Sequence, residues 1–92
     1  MSTAPASTGT ITMFSTPWCG YCKRLKVQLA SDGIAFVEVD ITTDPAAERF
    51  VLEANAGDAT VPTLHFPDGS VLTNPTAAQV RSRVAGLGSA VS

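Results

Sequence analysis

Two cysteines, Cys19 and Cys22, lie three positions apart near the start of this 92-residue sequence, which has no other cysteine. Thiols at this spacing can form a disulfide and exchange it with other thiols. They can also supply two of the three or four ligands of a zinc site, or they can be inert residues of a core. The surroundings of the pair favour redox chemistry.

A zinc site would need ligands that the sequence does not offer in a recognisable pattern. His65 is the single histidine, and no second cysteine pair follows the first. We interpret His65 as a partly exposed residue of a strand rather than as a ligand or a general base. The sequence therefore predicts no metal site.

The position of Cys19 favours its ionised form. The pattern changes there from strand to helix, so that we expect Cys19 to be the N-cap, with its sulfur facing the free N–H groups of the first turn. A helix carries a charge of roughly +0.5 at that end, which stabilises a thiolate. Three bases follow at Lys23, Arg24 and Lys26 with no acid before them. They either add to this field or form a solvated helix face.

The two cysteines are expected to play different parts in thiol exchange. Cys19 is assigned as the attacking nucleophile because it is expected at the open end of the helix. Cys22 falls on the apolar face of the same helix, one turn further on, and is assigned as the resolving thiol.

Periodicity and turn residues predict seven elements in the order β-α-β-α-β-β-α, an α/β domain with a four-stranded mixed sheet and three helices. The first two strands should be parallel because a helix joins them, and the last two should form an antiparallel hairpin. The second strand is nearly all apolar, which is typical of a strand covered on both faces. Helices are predicted to begin at Gly20, Pro45 and Pro75, with Asp44 and Asn74 as caps of the latter two. The predicted strands are 10–15, 34–41, 60–66 and 71–72.

Composition and charge restrict the class of protein. Hydrophobic residues make up 45% of the chain and charged residues 15%, which excludes disorder for its body. The net charge of −2 provides no basic field for nucleic acid, and no apolar run is long enough to span a membrane. Residues 1–9 form a polar lead without the features of a secretory signal. We expect a cytoplasmic monomer, with a domain over 10–88 and a frayed end over 89–92.

The sequence resembles the glutaredoxin-type proteins of the thioredoxin-like fold over roughly residues 10–87. The resemblance depends on Trp18-Cys19-Gly20-Tyr21-Cys22, on Thr60-Val61-Pro62 and on the order of the elements. Within this group the chain is most similar to the mycoredoxins, the glutaredoxin-like reductases of actinobacteria that work with mycothiol. Further matches to them are Arg24-Leu25-Lys26, Val39-Asp40-Ile41, Asp68-Gly69-Ser70 and Leu72-Thr73-Asn74-Pro75.

The resemblance implies a thiol–disulfide oxidoreductase that reduces mixed disulfides between protein cysteines and mycothiol. Its partners would be mycothiol, as co-substrate, and S-mycothiolated proteins. No cofactor would bind the chain, and NADPH would enter through a separate flavin reductase. The Val61–Pro62 peptide would be cis, and the Val61 backbone would pair with an amide of the substrate.

Further binding groups are expected around the cysteines. A helix start at Thr73-Asn74 would offer free N–H groups to a polar part of the ligand. Tyr21 would cover the sulfur. The predicted binding residues are Trp18, Gly20, Tyr21, Thr60, Val61, Pro62, Thr73 and Asn74.

Departures from the glutathione-dependent pattern favour mycothiol. Gly20 stands where those proteins often have proline, and Thr16 where they often have lysine. Residues 71–74 replace a glycine pair and an acid-rich cap. Groups that would hold the carboxylates of glutathione are therefore missing or altered, and mycothiol, a sugar-linked cysteine, lacks those peptide carboxylates.

Three alternatives stay open. One is a redoxin that donates electrons to ribonucleotide reductase and is recharged by thioredoxin reductase. That family usually has Trp-Ser-Gly-Phe-Arg where this chain has Leu72-Thr73-Asn74-Pro75-Thr76. The second is a glutathione-dependent glutaredoxin. The third is a thiol-ligand or metal-binding module without turnover.

Overall fold

The computed structural model describes the backbone of residues 10–91 and the side chains up to Gly86. Its elements follow the predicted order β-α-β-α-β-β-α. The polar lead predicted for residues 1–9 and the frayed end predicted for 89–92 fall wholly or partly outside the described residues and stay predictions. The strands are β1 (Ile11–Ser15), β2 (Phe36–Asp40), β3 (Thr63–His65) and β4 (Val71–Thr73), and the helices are α1 (Gly20–Ser31), α2 (Pro45–Ala54) and α3 (Ala77–Val91).

The four strands form one mixed sheet in the order β2-β1-β3-β4. β1 and β2 are parallel, with Ile11 opposite Phe36, while β1–β3 and β3–β4 are antiparallel. The predicted parallel pair, hairpin and mixed sheet are confirmed. β1 lies between β2 and β3, so the chain that leads from the end of β1 to α1 is flanked by these two strands.

Each face of the sheet has its own core. The helices α1 and α3 cover one face, and α2 covers the other, so that side chains alternate between the two cores along β1. The first core contains Ile11, Met13, Leu25, Leu29, Leu64, Phe66 and Val80, and the second Phe14, Ile41, Ala47 and Val51.

Between residues 10 and 91, no helix is long and apolar enough to span a membrane.

The prediction that the second strand is covered on both faces is wrong. β2 lies at the edge of the sheet, and Val37 is 51% exposed. The strand is also shorter than 34–41, since the backbone N–H of Ile34 is used at the C-terminal end of α1 rather than in the sheet. This N–H donates to the Leu29 carbonyl at 2.9 Å, and Gly33 before it has a left-handed φ of 71°, which ends the helix.

The predicted start of the last helix is also wrong. Asn74 has a φ of +51°, which an N-cap does not adopt, and α3 begins at Ala77. The cap is Thr76, whose hydroxyl accepts the Gln79 N–H at 3.1 Å while the Gln79 side chain accepts the Thr76 N–H at 2.8 Å. This reciprocal pair is a capping box. At α2 the prediction is confirmed, since Asp44 accepts the Ala47 N–H at 3.1 Å.

β3 is shorter than the predicted 60–66 because residues 60–62 bend in front of it. The Val61–Pro62 peptide is cis, as the resemblance implied. Pro62 has no N–H, and its carbonyl accepts the Asn74 N–H at 2.7 Å. The segment Thr60–Pro62 is thereby attached to the loop between β4 and α3.

Candidate active site

Cys19 is the N-cap of α1, as predicted. Its backbone is extended, with φ −82° and ψ 101°, and its sulfur accepts the Cys22 N–H at 3.1 Å. The Cα atoms of the two cysteines are 5.2 Å apart, and their sulfurs form a disulfide. The pair therefore has the separation needed for reversible oxidation, and a free N–H of the first helical turn contacts the Cys19 sulfur.

The two cysteines differ in accessibility. Cys22 is 1% exposed, whereas Cys19 is half-buried and its neighbour Trp18 is 74% exposed. An incoming thiol or disulfide can approach Cys19 but not Cys22. This asymmetry agrees with the assignment of Cys19 as the attacking residue and Cys22 as the resolving one.

One of the three bases after the pair is already matched by an acid. Lys26 forms a salt bridge with Glu38 at 2.9 Å, and the Ser15 hydroxyl donates to the same carboxylate at 2.6 Å. The Ser15 hydrogen bond, followed by that from Lys26, lowers the pKa of Glu38. Lys23 and Arg24 are exposed and form no salt bridge with the described residues. The positive field near Cys19 thus comes from these two and the helix terminus, with Lys26 largely compensated.

A cavity of about 290 Å³ lies on the β2 side of the cysteine pair. Cys22 borders it together with the Lys26–Glu38 pair. The Thr16 hydroxyl also borders it and is a buried group without a hydrogen-bond partner among the described residues. The lining residues are Ser15, Thr16, Pro17, Cys22, Lys23, Lys26, Glu38 and Asp40.

The predicted binding residues from the second half of the chain lie on the opposite, β3 side of the pair. Phe14 is opposite Thr63 in the sheet, which places Pro62 level with the end of β1, where α1 begins. Thr63 is in turn opposite Thr73, so that Thr73 and Asn74 lie at the same end. The fold therefore brings the two predicted binding segments to the end of the sheet that carries the cysteines.

Tyr21 connects the cysteine motif to these segments. Its hydroxyl donates to the Pro75 carbonyl at 2.8 Å and so joins the first turn of α1 to the loop before α3. The expectation that Tyr21 covers the sulfur stays a prediction. Gly20 is the first residue of α1, and a Cβ there would meet nothing within 4 Å.

The reason given for binding at Thr73 and Asn74 is wrong, although their assignment to the site stays a prediction. No helix starts there, and the Asn74 N–H is engaged with the Pro62 carbonyl. The Thr73 hydroxyl donates to Oδ1 of Asn55 at 2.6 Å. Both groups position the segments around the cysteines.

Asn55 joins the end of α2 to β3 and β4, and its role was not identified from the sequence. Its Nδ2 donates to the Val51 carbonyl at 2.9 Å and to the Thr63 hydroxyl at 3.2 Å. That hydroxyl donates to the Thr60 carbonyl at 2.7 Å. No local sequence pattern indicates this role, because the hydroxyl groups that bind Asn55 belong to Thr63 and Thr73, in other elements of the chain.

His65 lies in β3 on the face covered by α2. Its ring packs against Phe50 in a tilted arrangement, with centroids 4.7 Å apart and an interplanar angle of 43°, and it is half-buried. This agrees with its interpretation as a strand residue. Within the described part of the chain, no three side chains of the types His, Cys, Asp and Glu are grouped as a metal site.

Comparison with known proteins places this geometry in a family. The model of the family described as Glutaredoxin matches residues 11–71. A protein of Mycobacterium tuberculosis that is named as a glutaredoxin is 49% identical over 77 residues, covering 84% of this chain and 92% of the relative. Mycoredoxin 1 of Corynebacterium glutamicum is 36% identical over 77 residues, covering 84% of this chain and 95% of the relative.

Solved structures show the same architecture. The T8A mutant of a thioredoxin-like protein superposes with a TM-score of 0.67 at 25% identity, covering 78% of this chain and 95% of its own. The holo form of glutaredoxin C1 from Populus tremula x tremuloides superposes with a TM-score of 0.58, also at 25% identity, covering 85% and 76%. The predicted thioredoxin-like fold is confirmed.

Proposed function

This chain belongs to the glutaredoxin family, and we propose that it reduces mixed disulfides between protein cysteines and mycothiol. The observation that carries the proposal is the N-capping Cys19, accessible and joined to a buried Cys22. The choice of thiol is supported by the 36% identity to Mycoredoxin 1 over nearly the whole of that protein.

The proposed cycle consists of two thiol exchanges at Cys19. Its thiolate attacks the mycothiol sulfur of the mixed disulfide, so that a new S–S bond forms while the protein cysteine leaves as a thiolate and takes a proton from solvent. A second mycothiol thiolate then attacks the mycothiol sulfur on Cys19. Mycothiol disulfide leaves, and the Cys19 thiolate is regenerated. NADPH reduces that disulfide through a separate flavin reductase.

Cys22 offers a second exit from the same intermediate. Its thiolate can attack the Cys19 sulfur, which releases mycothiol and forms the intramolecular disulfide seen here. Because Cys22 is 1% exposed, external thiols do not compete for it. Cys19 is then the sulfur through which reducing equivalents return.

Val61 supports the binding of an extended substrate. It is half-buried at the β3 side of the pair, and its N–H and C=O form no hydrogen bond with the described residues. They are free to pair with one amide of a bound thiol or peptide, in the manner of strand addition. Trp18, at 74% exposed, offers an apolar surface beside the same sulfur.

Mycothiol rather than glutathione is favoured by neutral residues at three positions where the chain departs from the glutathione-dependent pattern. Thr16 stands where a lysine would hold a carboxylate, and Thr73 and Asn74 are neutral. The remaining cations, Lys23 and Arg24, project from exposed positions of α1. We place the protein, as a monomer, in the cytoplasm, where thiol systems keep cysteine pairs reducible.

The test is turnover of a mixed disulfide with NADPH under three electron supplies: mycothiol with its reductase, glutathione with its reductase, and thioredoxin reductase alone. We expect turnover with mycothiol only. Turnover with glutathione would overturn the choice of thiol. Turnover with thioredoxin reductase alone would identify a donor to ribonucleotide reductase instead.

A single substitution separates the cycle from that of such a donor. Cys22→Ser leaves both exchanges at Cys19 possible, so we expect it to retain much of the mixed-disulfide activity. A donor that needs an intramolecular disulfide would lose turnover. A thiol-binding or metal-binding module would show no turnover in either form.

A further inference from the structure

Asn55 lies at the end of α2, outside the predicted binding residues, yet it connects to two of the segments that flank the cysteines. We propose that Asn55 is a positioning residue, which holds the Thr60–Pro62 segment where Val61 can pair with the substrate. This inference rests on the proposed function. Among the described residues the Asn55 side chain forms its hydrogen bonds with Val51, Thr63 and Thr73 and with neither cysteine, so it would act only through its neighbours.

The side-chain amide of Asn55 is fixed in one orientation. An asparagine side chain has two N–H donors and one carbonyl acceptor, and all three are used here. The donors bind the Val51 carbonyl and the Thr63 hydroxyl, and the acceptor binds the Thr73 hydroxyl. Rotating the amide by half a turn would exchange its nitrogen and oxygen and bring that oxygen close to the Val51 carbonyl oxygen. Two acceptors would then face each other, so the amide has a single favourable orientation.

The fixed amide of Asn55 also holds the segment that contains Val61. The fully buried Thr63 hydroxyl, which accepts from Asn55, donates to the Thr60 carbonyl and so fixes its position. On the other side, the Pro62 carbonyl is held by the Asn74 N–H. The segment is thus tied at both ends, and Val61 between them keeps its own N–H and C=O free.

The network has a consequence that distinguishes positioning from general stability. None of its hydrogen bonds involves Cys19 or the first turn of α1. Loss of the Asn55 side chain should therefore weaken substrate binding and leave the thiolate of Cys19 as reactive as before. Interactions that bind ground state and transition state equally change KM and not kcat.

The experiment compares Asn55→Ala with Asp44→Ala. Asp44 caps the opposite end of the same helix through one hydrogen bond and lies outside the network, so it controls for loss of stability. A second pair isolates the hydroxyl: Thr63→Val removes it at similar shape, and Thr63→Ser keeps it. The readouts are KM and kcat for a mycothiol–peptide mixed disulfide, the alkylation rate of Cys19 by iodoacetamide, and the Val61 amide resonance.

We expect Asn55→Ala and Thr63→Val to raise KM by about tenfold, since small displacements of positioning groups have effects of this order or larger. Their kcat and Cys19 alkylation rate should stay unchanged, and the Val61 resonance should move. Thr63→Ser and Asp44→Ala should match the wild type in all of these.

Two results would overturn the inference. One is an Asn55→Ala variant that equals Asp44→Ala in both KM and the Val61 resonance. The other is a slowing of Cys19 alkylation by the same factor as the rise in KM, which would indicate a general loosening of the site. Failure of the wild type to turn over with mycothiol would contradict the proposed function, and the Val61 resonance would still decide the positioning role.

Discussion

Gly20 occupies the first position of α1, and its side of the helix is open. A Cβ there meets nothing within 4 Å, and Cys19 before it has the extended backbone that a residue preceding proline requires. Proline is well tolerated at a first helical position. Proline, which the glutathione-dependent pattern often has at this position, is therefore compatible with this fold, and glycine is not required by packing.

We expect Gly20→Pro to raise the free energy of unfolding of the oxidised protein by about 0.4–1 kcal/mol, because proline restricts the unfolded chain. Urea denaturation of the wild type and the variant measures the difference. A loss of stability in the variant would contradict the account of this position.

Glu38 makes the stability of the folded protein depend on pH in the acidic range. The Ser15 hydroxyl and then Lys26 lower its pKa from the ordinary 4.5. A carboxyl whose pKa falls on folding stabilises the folded state above its unfolded pKa and loses this contribution as the pH falls through the folded pKa. The ion pair is partly exposed, so the contribution is on the order of 1 kcal/mol or less.

We therefore expect the wild type to be more stable than Glu38→Gln at neutral pH, and the difference to fade as the pH falls below 4.5. Thermal or urea unfolding of both proteins across this range measures it. A difference that persists unchanged in acid would show that the carboxylate charge is not what stabilises this contact.

Among the elements, α3 shows how a tertiary contact decides between two local signals. Asn74-Pro75 and Asp44-Pro45 look alike in sequence, and only the second begins a helix. The Asn74 N–H is held by the Pro62 carbonyl, which keeps the residue in the loop. The capping box of Thr76 was present in the sequence as Thr-x-x-Gln and could have been found.

We expect Thr76→Ala to lower the free energy of unfolding by about 1 kcal/mol, the usual cost of losing such a cap. Gln79→Ala should cost less, since it removes only the reciprocal bond to the Thr76 N–H. Urea denaturation of both variants measures the two costs. An unchanged stability of Thr76→Ala would mean that the capping box does not hold α3.

β2 illustrates a different limit. A run of apolar residues indicates a strand, but it does not tell a covered central strand from a partly exposed edge strand. Phe36 and Val39 pack into opposite cores, while Val37 between them is exposed. The position of the strand in the sheet, which sequence order alone leaves undetermined, decides this.

For the whole molecule, the order of elements, the parallel pair and the hairpin could be predicted because connection rules leave few arrangements of so short a chain. The placement of Cys19 and Cys22 at the start of a helix could be predicted because the cysteines and the signals of the helix start are adjacent in sequence. The role of Asn55 could not, since it depends on Thr63 and Thr73 meeting the end of α2. The sequence does not predict the hydrogen bonds by which segments far apart in the chain are joined around the site.

The fold places the two sides of the cysteine pair in different environments. The β2 side is the charged cavity with Lys26 and Glu38, and the β3 side has the unpaired backbone of Val61. The substrate binding proposed for the β3 side leaves the accessible Cys19 as the sulfur that would receive the small thiol. This is the central claim of the proposed function.

The most direct measurement is the intact mass of the Cys22→Ser variant after reaction with a mycothiol-blocked peptide. We expect the protein to gain the mass of mycothiol on Cys19 while free peptide thiol appears, and the variant lacking both cysteines to gain nothing. A protein that carries the peptide instead, or no adduct at all, would contradict the account.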